Sequence, residues 1–163
     1  MGTHARAGVI AAIVVSALAA TAPSAKACEC GVRPEVNKEY VGRAAAVFQG
    51  RVVAVILERQ VVHGGQLITS GRRILFEVTE YWKGPIPASG FVWVETPWSC
   101  GIWFDVGEAY VVFAFASERG LVTDVCERTT ALKPWGANDV RAALGPATRP
   151  EGARDWLTPP LGN

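Results

Sequence analysis

The stretch Ala109-Tyr110-Val111-Val112-Phe113-Ala114-Phe115-Ala116 decides the fold. It is apolar at every position, where a strand with one wet face would alternate, so it reads as a strand covered on both sides. Downstream, Leu121 to Cys126 reads as another strand after the Gly120 turn. Upstream, Phe91 to Glu95 alternates, with Phe91 and Trp93 on one side and Val92 and Val94 on the other. In Arg72 to Trp82, Ile74, Phe76 and Val78 face one way and Glu77 and Thr79 the other, and Lys83-Gly84-Pro85 stops the run. From Val47 to Ile56 runs a further strand rich in branched residues, with Gly50 as the site of a bend or bulge. Glu58 to Ser70 reads as a hairpin loop around Gly64-Gly65, with a short strand extension at Gln66 to Thr69. One short helix is expected from Pro34 to Val41, and another from a cap at Asn138 to a stop at Gly145. Five strands without a βαβ rhythm predict an all-β, five-stranded closed barrel with one or two short flanking helices.

Residues 1–27 have the three parts of a secretory signal peptide. Arg6 supplies charge, Val9 to Ala20 is an apolar run broken only by Ser16, and Ala25-Lys26-Ala27 is a small-x-small cleavage site. The run is short for a bilayer span, and these flanks disfavour an uncleaved anchor. A lipidated Cys28 is disfavoured by the charged residue preceding the cut. The expected division is a signal peptide over 1–27, one domain over 28–145 and a poorly ordered tail over 146–163. Location is then extracellular, or periplasmic where the envelope has a second membrane, with no membrane span left after cleavage.

The full chain carries 16 basic and 15 acidic residues. Loss of Arg6 and Lys26 leaves a nearly neutral protein, which lacks the basic footprint of a nucleic-acid binder or a polybasic membrane anchor. A monomer is expected.

All four cysteines, Cys28, Cys30, Cys100 and Cys126, lie beyond the cut. An even number in an exported chain predicts disulfides, and a Cys28–Cys30 bond would close a tiny strained ring. Two pairings remain: Cys28–Cys100 with Cys30–Cys126, or the crossed Cys28–Cys126 with Cys30–Cys100. Either closes loops of about 70 to 100 residues, worth roughly 4 kcal/mol apiece in the chain-entropy model. Either also fixes the new N-terminus to distant parts of the chain. A four-cysteine zinc site would favour wider knuckles than Cys-x-Cys, and nothing beside Cys28 or Cys30 would activate a redox thiolate.

The sequence gives little purchase for enzymatic chemistry. It lacks His-Glu-x-x-His, Gly-x-Ser-x-Gly and a phosphate-cradling glycine loop. His63, the only histidine beyond the cut, reads as a loop residue. Trp82 and Trp93 fall within strand patterns and read as core or half-core residues, whereas Trp98 and Trp103 flank Cys100 and are better placed for an exposed surface.

Beyond a cut at Cys28-Glu29-Cys30, the chain carries in order Phe76-Glu77-Val78, Trp82-Lys83-Gly84, Cys100-Gly101 followed by Asp105-Val106-Gly107, then Tyr110 and Cys126. This ordered set resembles the inhibitory domain of the tissue inhibitors of metalloproteinases and the wider netrin-like modules, as a short, bacterial-type member. The resemblance covers nearly all of residues 28–130 and implies an OB-type barrel. It also implies the ordered pairing, Cys28–Cys100 and Cys30–Cys126. The function implied is inhibition of a metalloendopeptidase: the Cys28 amine and carbonyl chelate the catalytic zinc of the target and displace its water. The chain needs no cofactor of its own, since that zinc belongs to the protease. By the same resemblance Glu29 enters the specificity pocket, Cys30, Gly31 and Val32 continue along the cleft, and Trp98, Ser99 and Cys100 form an adjoining ridge. The chain departs from the family in lacking a third disulfide and a C-terminal domain, and in placing Glu29 where a small Ser or Thr is usual. The alternative expectation is a secreted binding or adhesion module that uses the barrel surface and loops such as Glu58 to Ser70.

Overall fold

The computed structural model describes residues 28–32, 34–132 and 137–151. The expected signal peptide at 1–27, Arg33 and most of the tail lie outside that range. The described chain is predominantly sheet: β1 (Ala46–Val61), β2 (Leu67–Lys83), β3 (Phe91–Pro97), β4 (Ala109–Ser117), β5 (Gly120–Val122) and β6 (Thr130–Ala131), with helices α1 (Lys38–Arg43) and α2 (Asn138–Leu144). β1 pairs with β2, β2 with β3, β3 with β5, β5 with β4, and β4 back with β1, so five strands close a ring. Among the described strands only the β3–β5 pairing is parallel. β6 attaches to β4 at Tyr110 and Val111, the end away from β5.

β4 is where the two cores meet. Tyr110, Val112 and Ala114 face into the ring with Phe48, Val52, Ile74, Phe76, Val78, Val92, Val94 and Phe104. Val111 and Phe113 point outward into a second core with Tyr40, Val41, Val47, Ala137 and Val140 from the helices and β1. Both faces of this strand are covered, which is why it carries no polar alternation. Inside the ring Phe76 makes edge-on contacts with Phe48, Phe104 and Tyr110 at 5.5, 5.3 and 6.5 Å between centroids.

Several boundaries differ from the sequence expectation, each for a local reason. β1 and β2 run on to Val61 and from Leu67, so the connection expected across Glu58 to Ser70 is only a tight turn closed by Val62 N–H donating to the Gln66 carbonyl, 2.9 Å. His63 sits exposed in that turn. The register slips at Gln49/Gly50, where a Cβ would meet the Glu77 carbonyl oxygen at 3.0 Å. The strand expected over Leu121 to Cys126 stops at Val122, because the Asp124 side chain accepts from the Cys126 N–H at 2.8 Å and turns the chain. β6 was not anticipated. Thr79, expected on the wet face of β2, is buried and bonded to Gln49.

The first helix begins at Lys38 rather than at Pro34, since Asn37 accepts from the Tyr40 N–H at 2.8 Å and makes the stronger cap. Its last carbonyls, Val41 and Gly42, are met by the Lys83 ammonium at 3.1 and 2.6 Å. α2 spans Asn138–Leu144 and ends at Gly145, where φ is 81° and the Trp82 indole donates to the carbonyl at 3.0 Å. Beyond it, in the first part of the 146–163 tail, Thr148 and Tyr81 exchange two backbone hydrogen bonds of 2.8 Å and Pro150 is buried. The remainder of that tail, 152–163, lies outside the described residues.

Phe76→Ala empties the centre of the ring and is expected to cost about 3–5 kcal/mol, read from chemical denaturation with an unchanged m-value.

Candidate functional site

Two disulfides gather the candidate residues at one end of the sheet. Cys28 is joined to Cys100, with Cα atoms 5.6 Å apart, and Cys30 to Cys126, at 5.0 Å. This is the ordered pairing, and among the described residues no cysteine is free. Cys100 follows β3 and Cys126 follows β5, the two strands that run parallel. Their loops are themselves connected, since the Val125 N–H donates to the Cys100 carbonyl at 3.0 Å. Residues 28 and 30 are thus bonded to two segments that already hold each other.

The loop carrying Cys126 is braced from behind. Thr129 Oγ1 donates to the Phe113 carbonyl at 3.2 Å and accepts from the Phe113 N–H at 2.8 Å. A hydroxyl has one proton, so in the 2.8 Å contact between Thr123 and Thr129 it is Thr123 that donates. From α1, the Tyr40 hydroxyl donates to Glu127 at 2.6 Å and accepts from the Arg128 N–H at 3.0 Å. Burial, and then the bond to Glu127, push the Tyr40 pKa above its ordinary value, so the hydroxyl keeps its proton and its donor role.

The loop carrying Cys100 turns tightly. Trp98 N–H donates to the Ser70 carbonyl at 3.2 Å, and Ile102 N–H to the buried Thr96 hydroxyl at 2.9 Å. Gly101 leaves no room for a side chain, because a Cβ would collide with the Pro97 carbonyl oxygen. Cys28 Sγ lies 3.1 Å from the Ser99 carbonyl oxygen. A disulfide sulfur has no proton, so this is a packing contact, and it puts Cys28, Ser99 and Cys100 side by side.

The other expected site residues divide. Cys28 and Glu29 are exposed, and Glu29 has no ion pair among the described residues. Gly31 is exposed and Val32 is 99% exposed, so the two residues after the second disulfide stand in solvent. Trp98 packs on Arg72 and Trp103. The Trp103 ring lies 3.5 Å from the Arg72 guanidinium carbon and the Trp98 ring 4.8 Å from it. Among the described residues no group of three or more His, Cys, Asp or Glu side chains could hold a metal ion.

Arg72 was missed in the sequence, although a signal for it is there. It stands two residues before Ile74 and four before Phe76, on the face of β2 that points inward, and the structure buries it to 2% exposure. Nη1 donates to the Ile102 carbonyl at 3.2 Å. Loss of hydration lowers its pKa from the ordinary value, but the guanidinium remains protonated.

No protein-family model matches this chain, and no curated protein matches it.

Gly101→Ala is expected to destabilise the protein by about 1–3 kcal/mol through this collision. A thermal melt that does not move would show that the turn between Pro97 and Ile102 can yield.

Proposed function

We propose that the chain is an exported inhibitor of a zinc metalloendopeptidase, acting through a mature N-terminus at Cys28, on an OB-type barrel like that of the tissue inhibitors of metalloproteinases. The observation that carries it is the position of Cys28: exposed, bonded to Cys100 beside Ser99, and followed two residues later by a second disulfide. A terminus held this way has little backbone freedom left to lose on binding. The closed five-strand ring fits an OB-type barrel, and two disulfides suit an oxidising compartment outside the cytoplasm. Cleavage after Ala27 would make the residue 28 amine and carbonyl a five-membered chelate for the zinc of the target, replacing the water that the metal activates. Glu29 would enter the neighbouring pocket and the ridge at Trp98, Ser99 and Cys100 would flank the cleft.

A binding module that uses the sheet surface is the second reading. It is favoured by the apolar side chains exposed along the β1–β2 arm, among them Ile56, Leu57, Val61 and Leu67. Adding one alanine before Cys28 separates the two. It moves the amine off the metal but leaves the disulfides and the surface intact. With an intact mass showing a wild-type chain that begins at Cys28, four hydrogens lighter than the reduced form, inhibition should fall by at least about 100-fold in the extended variant. Equal inhibition by the two would sink the chelation proposal.

The pH dependence has a fixed sign. The neutral amine binds zinc, and the ordinary α-amine pKa is about 8. Affinity should therefore rise nearly tenfold per pH unit below that value and level off above it. Inhibition constants measured between pH 6 and about 9, with the alanine-extended variant as control, provide the check.

A further inference from the structure

Arg72 holds a cation inside the protein with no counter-charge among the described residues. Its Nη1 is satisfied by the Ile102 carbonyl, but Nε and Nη2 are buried and have no hydrogen-bond partner among the described residues. Those two nitrogens form the side-on fork of the guanidinium, the edge that matches the two oxygens of a carboxylate. The five described ion pairs involve Arg73, Arg119, Arg128 and Arg141, and none reaches Arg72. Buried donors left unmade are costly, and a buried unpaired charge more so. Aromatic contact with Trp98 and Trp103 compensates through the ring faces, but it cannot satisfy in-plane N–H groups.

The two rings that lie over this guanidinium are themselves open to solvent: Trp103 is 70% exposed and Trp98 46%, and residues 101–105 between Cys100 and the β4 turn have no regular secondary structure. Two exposed indoles around a desolvated cation also have the composition of an interface hot spot, where tryptophan and arginine dominate.

We propose that Arg72, Trp98 and Trp103 form a recognition site for an acidic side chain of a partner polypeptide, with the carboxylate taken bidentately by Nε and Nη2 and the indoles covering the adjacent chain. A small free carboxylate would satisfy the fork yet leave both indoles in water, which is why a polypeptide is the better occupant. The site does not depend on zinc chelation by Cys28.

The test is a titration of the 15N-labelled protein, disulfides intact, with acetyl-Ala-Asp-Ala-amide, its Asn counterpart and sodium acetate, followed at the Arg72 Nε–H resonance and by tryptophan fluorescence. Absence of that resonance from Arg72→Lys assigns it. The aspartyl peptide should give a saturable downfield Nε–H shift and bind about tenfold or more tighter than either acetate or the asparaginyl peptide. Arg72→Lys keeps the charge and loses the fork, so its fluorescence titration should be at least about tenfold weaker. The variant with alanine added before Cys28 should bind the peptide as wild type does. Equal response to the aspartyl and asparaginyl peptides, or no Nε–H shift up to about 50 mM peptide, overturns the site. Acetate binding as tightly as the peptide overturns the choice of a polypeptide partner.

Discussion

Everything in this protein is arranged around the burial of β4 on both faces. Val112 and its neighbours two residues away close the interior of the ring, while Val111 and Phe113 form the floor on which α1 and α2 sit. A strand in that position can tolerate neither charge nor water on either side. It must be paired along both edges, and it is: β1 takes one edge, and β5 and β6 share the other. The helices, though short, therefore belong to the fold. Without them half of β4 would be exposed apolar surface.

The site end inherits its rigidity from this strand. Phe113 holds Thr129 through both its N–H and its carbonyl, Thr129 receives Thr123, and those residues bracket Cys126. Tyr40, tilted against the Phe113 ring at 5.3 Å between centroids, reaches the same loop through Glu127 and Arg128. The hydrogen bonds from β4 to the Cys126 loop and the disulfide from that loop to Cys30 thus make one continuous connection from the core to residues 28–30. The proposed inhibitory action needs a terminus that does not wander, and this connection provides it.

Much of the fold could be read from residue pattern alone. The unbroken apolar run at Ala109 to Ala116 marks a doubly covered strand, and the alternation in Arg72 to Trp82 gives the inward face correctly for Ile74, Phe76 and Val78. In Phe91 to Glu95 the alternation separates the two faces but does not say which is inside: Val92 and Val94 are buried, whereas Trp93, read as core or half-core, is 38% exposed. Period-2 alternation is blind to where a strand stops when side-chain hydrogen bonds turn the backbone, as Asp124 does after β5 and Asn37 does before α1. It was equally blind to β6, which is two residues long and exists because β4 offers it an edge. Arg72 was overlooked for a different reason. A charged residue at the start of an alternating run is ordinarily read as surface, and the structure instead buries it within β2 against Trp98, Ile102 and Trp103, 26 to 31 residues on in the sequence. Which cysteine pairs with which is a three-dimensional fact of the same kind.

The separations within those disulfides, 72 and 96 residues, also set an order in time. During synthesis Cys28 and Cys30 appear first, and neither has a native partner until most of the sheet-forming sequence has followed. In the interval each has only the other, across a single intervening residue that makes the ring between them strained. Cys100 arrives before Cys126, so the first partner to appear is open to either N-terminal thiol. In the finished structure β5 lies beside β3 and brings both loops together. The native pair of disulfides can therefore be complete only after Cys126 has been made, when nearly the whole of the ring-forming sequence already exists.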